Sequence, residues 1–237
     1  MNTLHSLRGA ALLLFGAFLA APLLAQDFAQ PVESFSRKKT SYVTLADGTT
    51  LEGTVERLKR KKGLIKEVKI EIDGAERVLD PAEIKHMYLP PSAIAELGNA
   101  LNKMGDATRW DEDLDANILK EGYVYFETVP VMIKKDERTL LMQLLNPATA
   151  RGVRVYHDPF AGETMSAGVA GVKVAGGDAK SYYVRKGDDT AYRLFKKDYK
   201  KEYEGLFGGC DPVMNHDMAE RWSKFQDHVN AYADCAM

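Results

Sequence analysis

The sequence predicts an α+β fold that is mainly β, with a small five-stranded barrel, a second antiparallel sheet and C-terminal helices. Tight-turn dipeptides separate short apolar runs, and Asp-Gly between two such runs is a strong signal of a β-hairpin. Within the runs apolar and polar residues alternate, which is the period of a strand with one wet face. Near the C-terminus apolar residues instead recur every three or four positions, which indicates helices.

The first 25 residues have the pattern of a secretory signal peptide. Arg8 supplies a positive charge, residues 10–19 form a short apolar run, and residues 23–25 (Leu-Leu-Ala) form a cleavage site. No cysteine stands near residue 26 to carry a lipid. We therefore expect a secreted or periplasmic protein that is not a lipoprotein and has no membrane span. Export and the near-neutral net charge of −2 argue against a nucleic-acid partner.

Residues 41–89 predict the barrel. Asp47-Gly48 and Asp73-Gly74 mark two tight turns between alternating runs. Asp80 is expected to cap a single helical turn that begins at Pro81, and a fifth strand follows. Four strands, a helical turn and a fifth strand is the order of Sm-like small barrels, which this stretch resembles in fold only.

The rest of the chain alternates between helical and β patterns. Ser92 is expected to cap a helix carrying the apolar stripe of residues 94–104. A long final helix is expected from Asp217, with Trp222 on its apolar stripe. The predicted organisation is a signal peptide (1–25), a flexible lead-in (26–40), the barrel (41–89), a helix and acidic linker (90–121), an antiparallel β-sheet domain (122–195) and C-terminal helices (196–237).

Two cysteines, Cys210 and Cys235, stand near the C-terminus. In an oxidising compartment we expect them to form a disulfide, and two buried free thiols are the alternative. A helix over residues 217–235 would be about 27 Å long. The seven residues that lead into it reach at most about 25 Å. The bridge therefore requires a shorter helix or a bent entry.

Two surfaces are candidate binding sites. Tyr182, Tyr183 and Tyr192 lie in the second β block beside a glycine-rich loop and would suit a carbohydrate or peptide platform. Core packing is the alternative for these tyrosines. A basic turn, formed by Lys59, Arg60, Lys61 and Lys62, would contact an anionic surface, or would be a solvated hairpin tip whose charge is diluted by nearby glutamates.

The sequence predicts no catalytic, cofactor or metal residues. The acidic run 111–117 resembles the first half of a twelve-residue calcium loop. Such a loop needs glycine at its sixth position and glutamate at its twelfth, but these positions hold Ala116 and Gly122. His216 and His228 would lie about 18 Å apart along a helix, too far to share a zinc ion, and are interpreted as exposed. His157-Asp158 is half of an acid–base pair or a turn feature.

Three further stretches carry a family resemblance: residues 45–55 (LADGTTLEGTV), 180–187 (KSYYVRKG), and the ending from 206–210 (LFGGC) to 232–235 (YADC). With them the chain resembles a broad group of uncharacterised exported proteins from Bacteroidetes-type bacteria, which has no established activity. The resemblance implies export and paired cysteines.

The expected function is a non-enzymatic ligand-binding or protein-interaction module of the bacterial envelope, without a cofactor. An envelope protein or a glycan is the expected partner. One alternative is a hydrolase whose site assembles only in the fold, in a deep pocket around His157. Another is an accessory partner of an outer-membrane assembly, which the basic turn would contact.

Overall fold

The structure, a computed structural model, describes residues 28–93, 95, 113–162, 166–169, 172–176, 179–215 and 219–236. The predicted signal peptide lies outside these residues. So does the helix predicted after Ser92, apart from residues 93 and 95. Ser92 does accept a hydrogen bond from the backbone N–H of Ala95 at 3.4 Å, as a cap would. Within the predicted acidic linker, Asp115 caps a single short helix.

The five strands of the first β block form in the predicted order. They are β1 (Ser41–Leu45), β2 (Thr50–Lys61), β3 (Leu64–Ile72), β4 (Ala75–Leu79) and β5 (Ile84–Leu89). Gly48 and Gly74 have φ of 88° and 78°, so both Asp-Gly turns use the left-handed backbone that glycine tolerates. Asp80 caps the single 3₁₀ turn Pro81–Glu83, and the Glu83 side chain completes a capping box.

The predicted five-stranded barrel is not confirmed, because the sheet does not close. β5 pairs with β1 on one side and with the next strand, β6 (Val124–Ile133), on the other. β4 remains an edge strand of the sheet, and most of its residues are exposed. Phe126 and Leu141 cover the apolar interior of this region instead, in one core with Ile70.

The second β block continues the same sheet rather than forming a separate antiparallel one. Its elements are α1 (Ala116–Lys120), β6, β7 (Asp136–Gln143), β8 (Val153–Tyr156), β9 (Ser166–Val169), β10 (Val172–Gly176), β11 (Ser181–Lys186) and β12 (Ala191–Phe195). The order is β4-β3-β2-β1-β5-β6-β12-β11-β8, with β7 also on β6, and β9 and β10 form their own hairpin. β6 pairs with β12 in parallel, which makes the sheet mixed. β6 has ten residues, and β5 pairs only with residues 124–127 of it. The later part of β6 therefore remains free on that side, and β12 pairs with it at residues 131–132.

The C-terminal helices are α2 (Tyr199–Phe207), α3 (Asp211–Met214) and α4 (Phe225–Ala233), and a 3₁₀ turn, Trp222–Lys224, precedes α4. Cys210 and Cys235 form the predicted disulfide, with Cα atoms 5.7 Å apart. The final helix is shorter than predicted, since it begins at Phe225 rather than at Asp217, which lies outside the described residues. This is the shortening that the bridge requires. None of the described helices has the length and apolar character to cross a membrane.

The N-terminal segment is packed against the sheet, although the sequence predicts a flexible lead-in over residues 26–40. Phe28 and Val32 are buried. The backbone N–H of Val32 donates to Gln143 Oε1 at 2.9 Å, and Phe35 forms a β-bridge with Pro91. The described part of this segment therefore contributes apolar side chains to the cores.

Candidate ligand-binding groove

A groove lies where β11 faces the beginning of α4. Its volume is about 170 Å³, and we call it the aromatic groove. The residues that line it are Phe28, Tyr182, Trp222, Ser223, Phe225, Gln226 and Asp227. They come from the N-terminal segment, one strand, the 3₁₀ turn before α4 and the first turn of α4, so the groove exists only in the folded chain.

Stacked rings form the floor of the groove. The ring centroids of Trp222 and Phe225 are 5.2 Å apart with planes at 10°, and those of Tyr182 and Trp222 are 5.6 Å apart at 22°. Phe28 meets Tyr182 edge-on at 5.5 Å. Trp222 Nε1 donates to the carbonyl oxygen of Ala179 at 2.8 Å. Offset stacks and edge-to-face contacts are favourable ring arrangements, so the floor is fixed before any ligand binds.

Polar side chains form the rim. Ser223 is exposed, and Gln226 and Asp227 are half-buried. Lys224 Nζ donates to Asp227 Oδ2 at 2.9 Å, which balances the only carboxylate among the lining residues. The rim therefore offers hydroxyl, amide and carboxylate hydrogen-bonding groups without a surplus of charge.

The helix that carries most of the groove is fastened on two sides. Cys235 follows α4 and is bonded to Cys210 ahead of α3. Inside, His228 is fully buried, and its Nδ1 lies 2.6 Å from the hydroxyl oxygen of Tyr199. The prediction of an exposed His228 is therefore wrong, because this side of the helix packs against the rings of α2. Burial raises the pKa of Tyr199, so its hydroxyl stays neutral and keeps its proton.

The three tyrosines of the predicted platform do not share a surface. Tyr182 lines the groove. Tyr183 is buried in the core on the opposite face of β11, since neighbouring residues of a strand point to opposite sides. Tyr192 packs half-buried against the same core as Tyr182 but does not line the groove, and burial raises its pKa to about 12.

Most other groove residues were missed as site residues by sequence reasoning. Trp222 and Phe225 lie on one apolar helical stripe of the sequence, which by itself indicates only a core. Phe28 lies in a segment without periodicity, and it reaches Tyr182 from more than 150 residues away. The signal that was available was the concentration of aromatic residues in both β11 and the last helix.

The basic turn does not form one cationic patch. Lys59 Nζ and Arg57 Nη2 both bind the Glu67 carboxylate, at 3.1 and 3.0 Å, and these hydrogen bonds lower the pKa of Glu67. Arg60 Nη1 donates to the carbonyl oxygen of Glu33 at 3.2 Å. Lys61 and Lys62 are exposed at the tip. Half of the predicted cationic group is thus engaged within the chain.

His157 and Asp158 face different partners. His157 borders a depression of about 30 Å³ beside Glu33 and Arg60, which has room for roughly one water molecule. Asp158 is buried, and its Oδ2 accepts from Ser181 Oγ at 2.6 Å and from Arg193 Nε at 2.5 Å. These contacts are typical of a structural carboxylate. The described residues around His157 therefore form no substrate-sized pocket, such as the hydrolase alternative requires.

A second polar group, which the sequence did not predict, lies on the opposite face of the sheet from the aromatic groove. We call Glu127, Arg154, Tyr156 and Arg185 the Arg–Glu cluster. Arg154 Nη1 lies 2.7 and 2.6 Å from the two Glu127 carboxylate oxygens, and the Tyr156 hydroxyl donates to Glu127 Oε1 at 2.7 Å. Burial, together with the Glu127 charge, raises the pKa of Tyr156 well above its ordinary value, so Tyr156 remains a donor.

The comparisons with known proteins give no family assignment. No protein-family model, curated protein or solved structure matches it.

Proposed function

We propose that the protein is an exported, non-enzymatic binding module that holds a neutral sugar ring of a glycan in the aromatic groove. The observation that carries this proposal is the combination of a stacked aromatic floor and a charge-balanced polar rim. The apolar C–H face of a sugar ring can pack against an aromatic ring of the floor, and its hydroxyl groups can form hydrogen bonds with the polar side chains of the rim. Phe28, Trp222 and Phe225 are buried and Tyr182 is half-buried, so Tyr182 is the ring that the apolar face of the sugar would meet.

The size of the groove favours a single ring. Sites for drug-sized ligands have volumes of about 300–1,000 Å³, whereas this groove has about 170 Å³. A larger glycan would place one unit in the groove and leave the remainder in solvent. Tyr182 is the half-buried ring of the floor and therefore the one that a ligand touches most directly.

The lining residues favour binding over hydrolysis. Most glycosidases use two carboxyl groups on either side of the scissile bond. Among the lining residues Asp227 is the one carboxylate, and Lys224 binds it. The groove thus has hydrogen-bonding groups to hold a sugar, but its lining lacks the carboxylate pair that cleaves one.

Export of the protein is supported by the signal-peptide pattern of residues 1–25 and by the disulfide, since disulfides persist in oxidising compartments. Protein isolated from the envelope fraction of the native host is expected to begin at Gln26. Intact-mass analysis checks this expectation, and a chain that still begins at Met1 would contradict export through signal cleavage.

Replacing Tyr182 with alanine is expected to weaken glycan binding at least ten-fold, which corresponds to about 1.4 kcal/mol. The variant removes the ring that faces the ligand. The measurement is isothermal titration of the mature protein with neutral oligosaccharides, chosen by a first screen on a glycan array.

Tyr192→Ala is the matched control, because it removes the same side chain from the same core but outside the groove. Tyr192→Ala should bind as the unaltered protein does. If no neutral saccharide binds, or if both tyrosine variants lose affinity equally, the groove is not a sugar site.

A further inference from the structure

The buried carboxylate of Asp158 fixes the loop that follows β8. Its Oδ1 accepts a hydrogen bond from the backbone N–H of Phe160 at 2.9 Å, and its backbone carbonyl oxygen accepts one from Ala161 at 3.0 Å. Its Oδ2 accepts from Arg193 Nε of β12. One buried side chain thus joins the loop to the sheet, and the loop holds Phe160 at the surface.

The ring of Phe160 faces solvent, since this residue is 45% exposed. Cζ of Arg193 lies 5.9 Å from the centroid of the Phe160 ring and 4.6 Å from that of the Phe195 ring. Lys197 Nζ lies 5.7 Å from the centroid of the Phe195 ring. These are distances of cation–π contacts, so two aromatic rings and two cations form one continuous surface.

Lys180 borders the same surface. Its backbone N–H donates to the carbonyl oxygen of Gly162 at 2.9 Å, two residues after Phe160. Its carbonyl oxygen accepts from the backbone N–H of Lys196 at 3.0 Å, at the end of β12. The members of this surface, which we call the basic–aromatic patch, are Phe160, Lys180, Arg193, Phe195 and Lys197.

The basic–aromatic patch carries an excess of positive charge. Asp158 balances the charge of Arg193. Lys180 and Lys197 are exposed, and neither forms an ion pair with a carboxylate of the described residues. Residues 193–201 contain five basic residues and one acidic residue. The patch therefore attracts negative charge, and its lysines are available to receive it.

We propose that the basic–aromatic patch docks the protein on a membrane surface rich in anionic phospholipids. Such a surface attracts lysines through its negative potential, and each lysine near it raises the affinity about five-fold. The exposed ring of Phe160 can enter the boundary between headgroups and acyl chains, where aromatic side chains are favourable. A bilayer offers both the negative charge and the apolar layer, so it matches all the exposed members of the patch.

The basic–aromatic patch and the aromatic groove lie on opposite faces of the sheet. Leu194 packs in the same core as Tyr182 of the groove. Because neighbouring side chains of a strand alternate, Arg193 and Phe195 point to the other face. A protein docked through the patch would therefore keep its groove open to solvent.

The test is co-sedimentation of the mature protein with sucrose-loaded vesicles. Vesicles of equal parts phosphatidylglycerol and phosphatidylcholine are compared with vesicles of phosphatidylcholine alone. The protein is expected to bind only the anionic vesicles, and to bind them less as sodium chloride screens the charges. Lys180→Gln combined with Lys197→Gln should lower the partition coefficient at least ten-fold. Phe160→Ala should lower it about three-fold or more, because the ring no longer leaves water.

Lys61→Gln combined with Lys62→Gln is the matched control. It removes the same charge from two exposed lysines at the tip of the basic turn. This double variant should bind the vesicles as the unaltered protein does. Equal losses in the two double variants, or no preference for anionic vesicles, would overturn the proposal.

An acidic polysaccharide would also match the lysines, and Phe160→Trp separates it from a lipid surface. After subtraction of the emission of the unaltered protein, the new tryptophan is expected to emit at shorter wavelength with anionic vesicles but not with soluble polygalacturonate. A shift with polygalacturonate and none with vesicles would contradict docking on lipid.

Tyr182→Ala should leave vesicle binding unchanged, because Tyr182 points to the opposite face of the sheet. The lysine variants should likewise leave the binding of neutral oligosaccharides unchanged. Failure of the sugar site and failure of the lipid-binding patch are therefore separable.

Discussion

Replacement of Trp222 by alanine is expected to lower the free energy of unfolding by about 3–5 kcal/mol. Trp222 is 6% exposed and packs against the rings of Tyr182 and Phe225, which also contact each other. Its removal leaves a cavity in the floor of the groove, and the carbonyl oxygen of Ala179 loses its donor. Urea denaturation followed by circular dichroism measures the loss.

Two other variants separate these contributions. Trp222→Phe keeps a ring in the stack but loses the hydrogen bond, so a smaller cost is expected, with the hydrogen bond contributing about 1 kcal/mol. Val78→Ala removes apolar atoms at a position that is 57% exposed and should change stability by no more than about 0.5 kcal/mol. An unaltered denaturation midpoint in Trp222→Ala would show that the tryptophan is not part of the core.

Replacement of Glu127 by leucine is expected to destabilise the protein by about 3–5 kcal/mol, because it leaves the buried guanidinium group of Arg154 and the half-buried one of Arg185 without this carboxylate. Adding Arg154→Met removes one of these charges. The double variant should therefore be less destabilised than the sum of the two single variants, with a coupling energy of about 0.5–3 kcal/mol. Denaturant unfolding of the four proteins in the cycle provides these values.

Glu67→Leu is the matched control for Glu127→Leu. Glu67 also binds two basic side chains, Lys59 and Arg57, but these lie in solvent and are about 60% exposed. Surface ion pairs contribute about 0–1 kcal/mol, so the loss should be small. Equal losses at Glu67 and Glu127, or strict additivity in the cycle, would show that burial of the Arg–Glu cluster has no energetic consequence.

The parts of the fold that were predicted correctly are those that neighbouring residues determine. The turns at Asp47-Gly48 and Asp73-Gly74 require a left-handed glycine, and Asp80 binds backbone groups only two or three residues away. Closure of the barrel depends instead on which distant strand occupies the free edge of β5. β6 occupies it, and no local pattern in residues 41–89 indicates that choice.

The candidate sites show the same division. The geometry of the disulfide was predictable because chain length limits how far a segment reaches, and the final helix is shortened accordingly. Glu127 gave no such signal, since it stands in an apolar strand where one charged residue normally marks a wet position. Its partner Arg154 comes from a different strand, 27 residues away.

The exposed β4 has a further consequence at the free edge of the sheet. A second copy of the protein could extend the sheet by pairing its own β4 antiparallel to this one about a two-fold axis. Residues that lie opposite each other across this pair would then have their side chains on the same face of the sheet. Full overlap of the two strands then places Arg77 opposite Arg77 of the copy. Shifting the register by two residues in one direction places Glu76 opposite Glu76 of the copy. Shifting it by two residues in the other direction places Glu76 opposite Asp80 of the copy. Each of these registers brings like charges together, so the strand's own sequence discourages edge-to-edge aggregation.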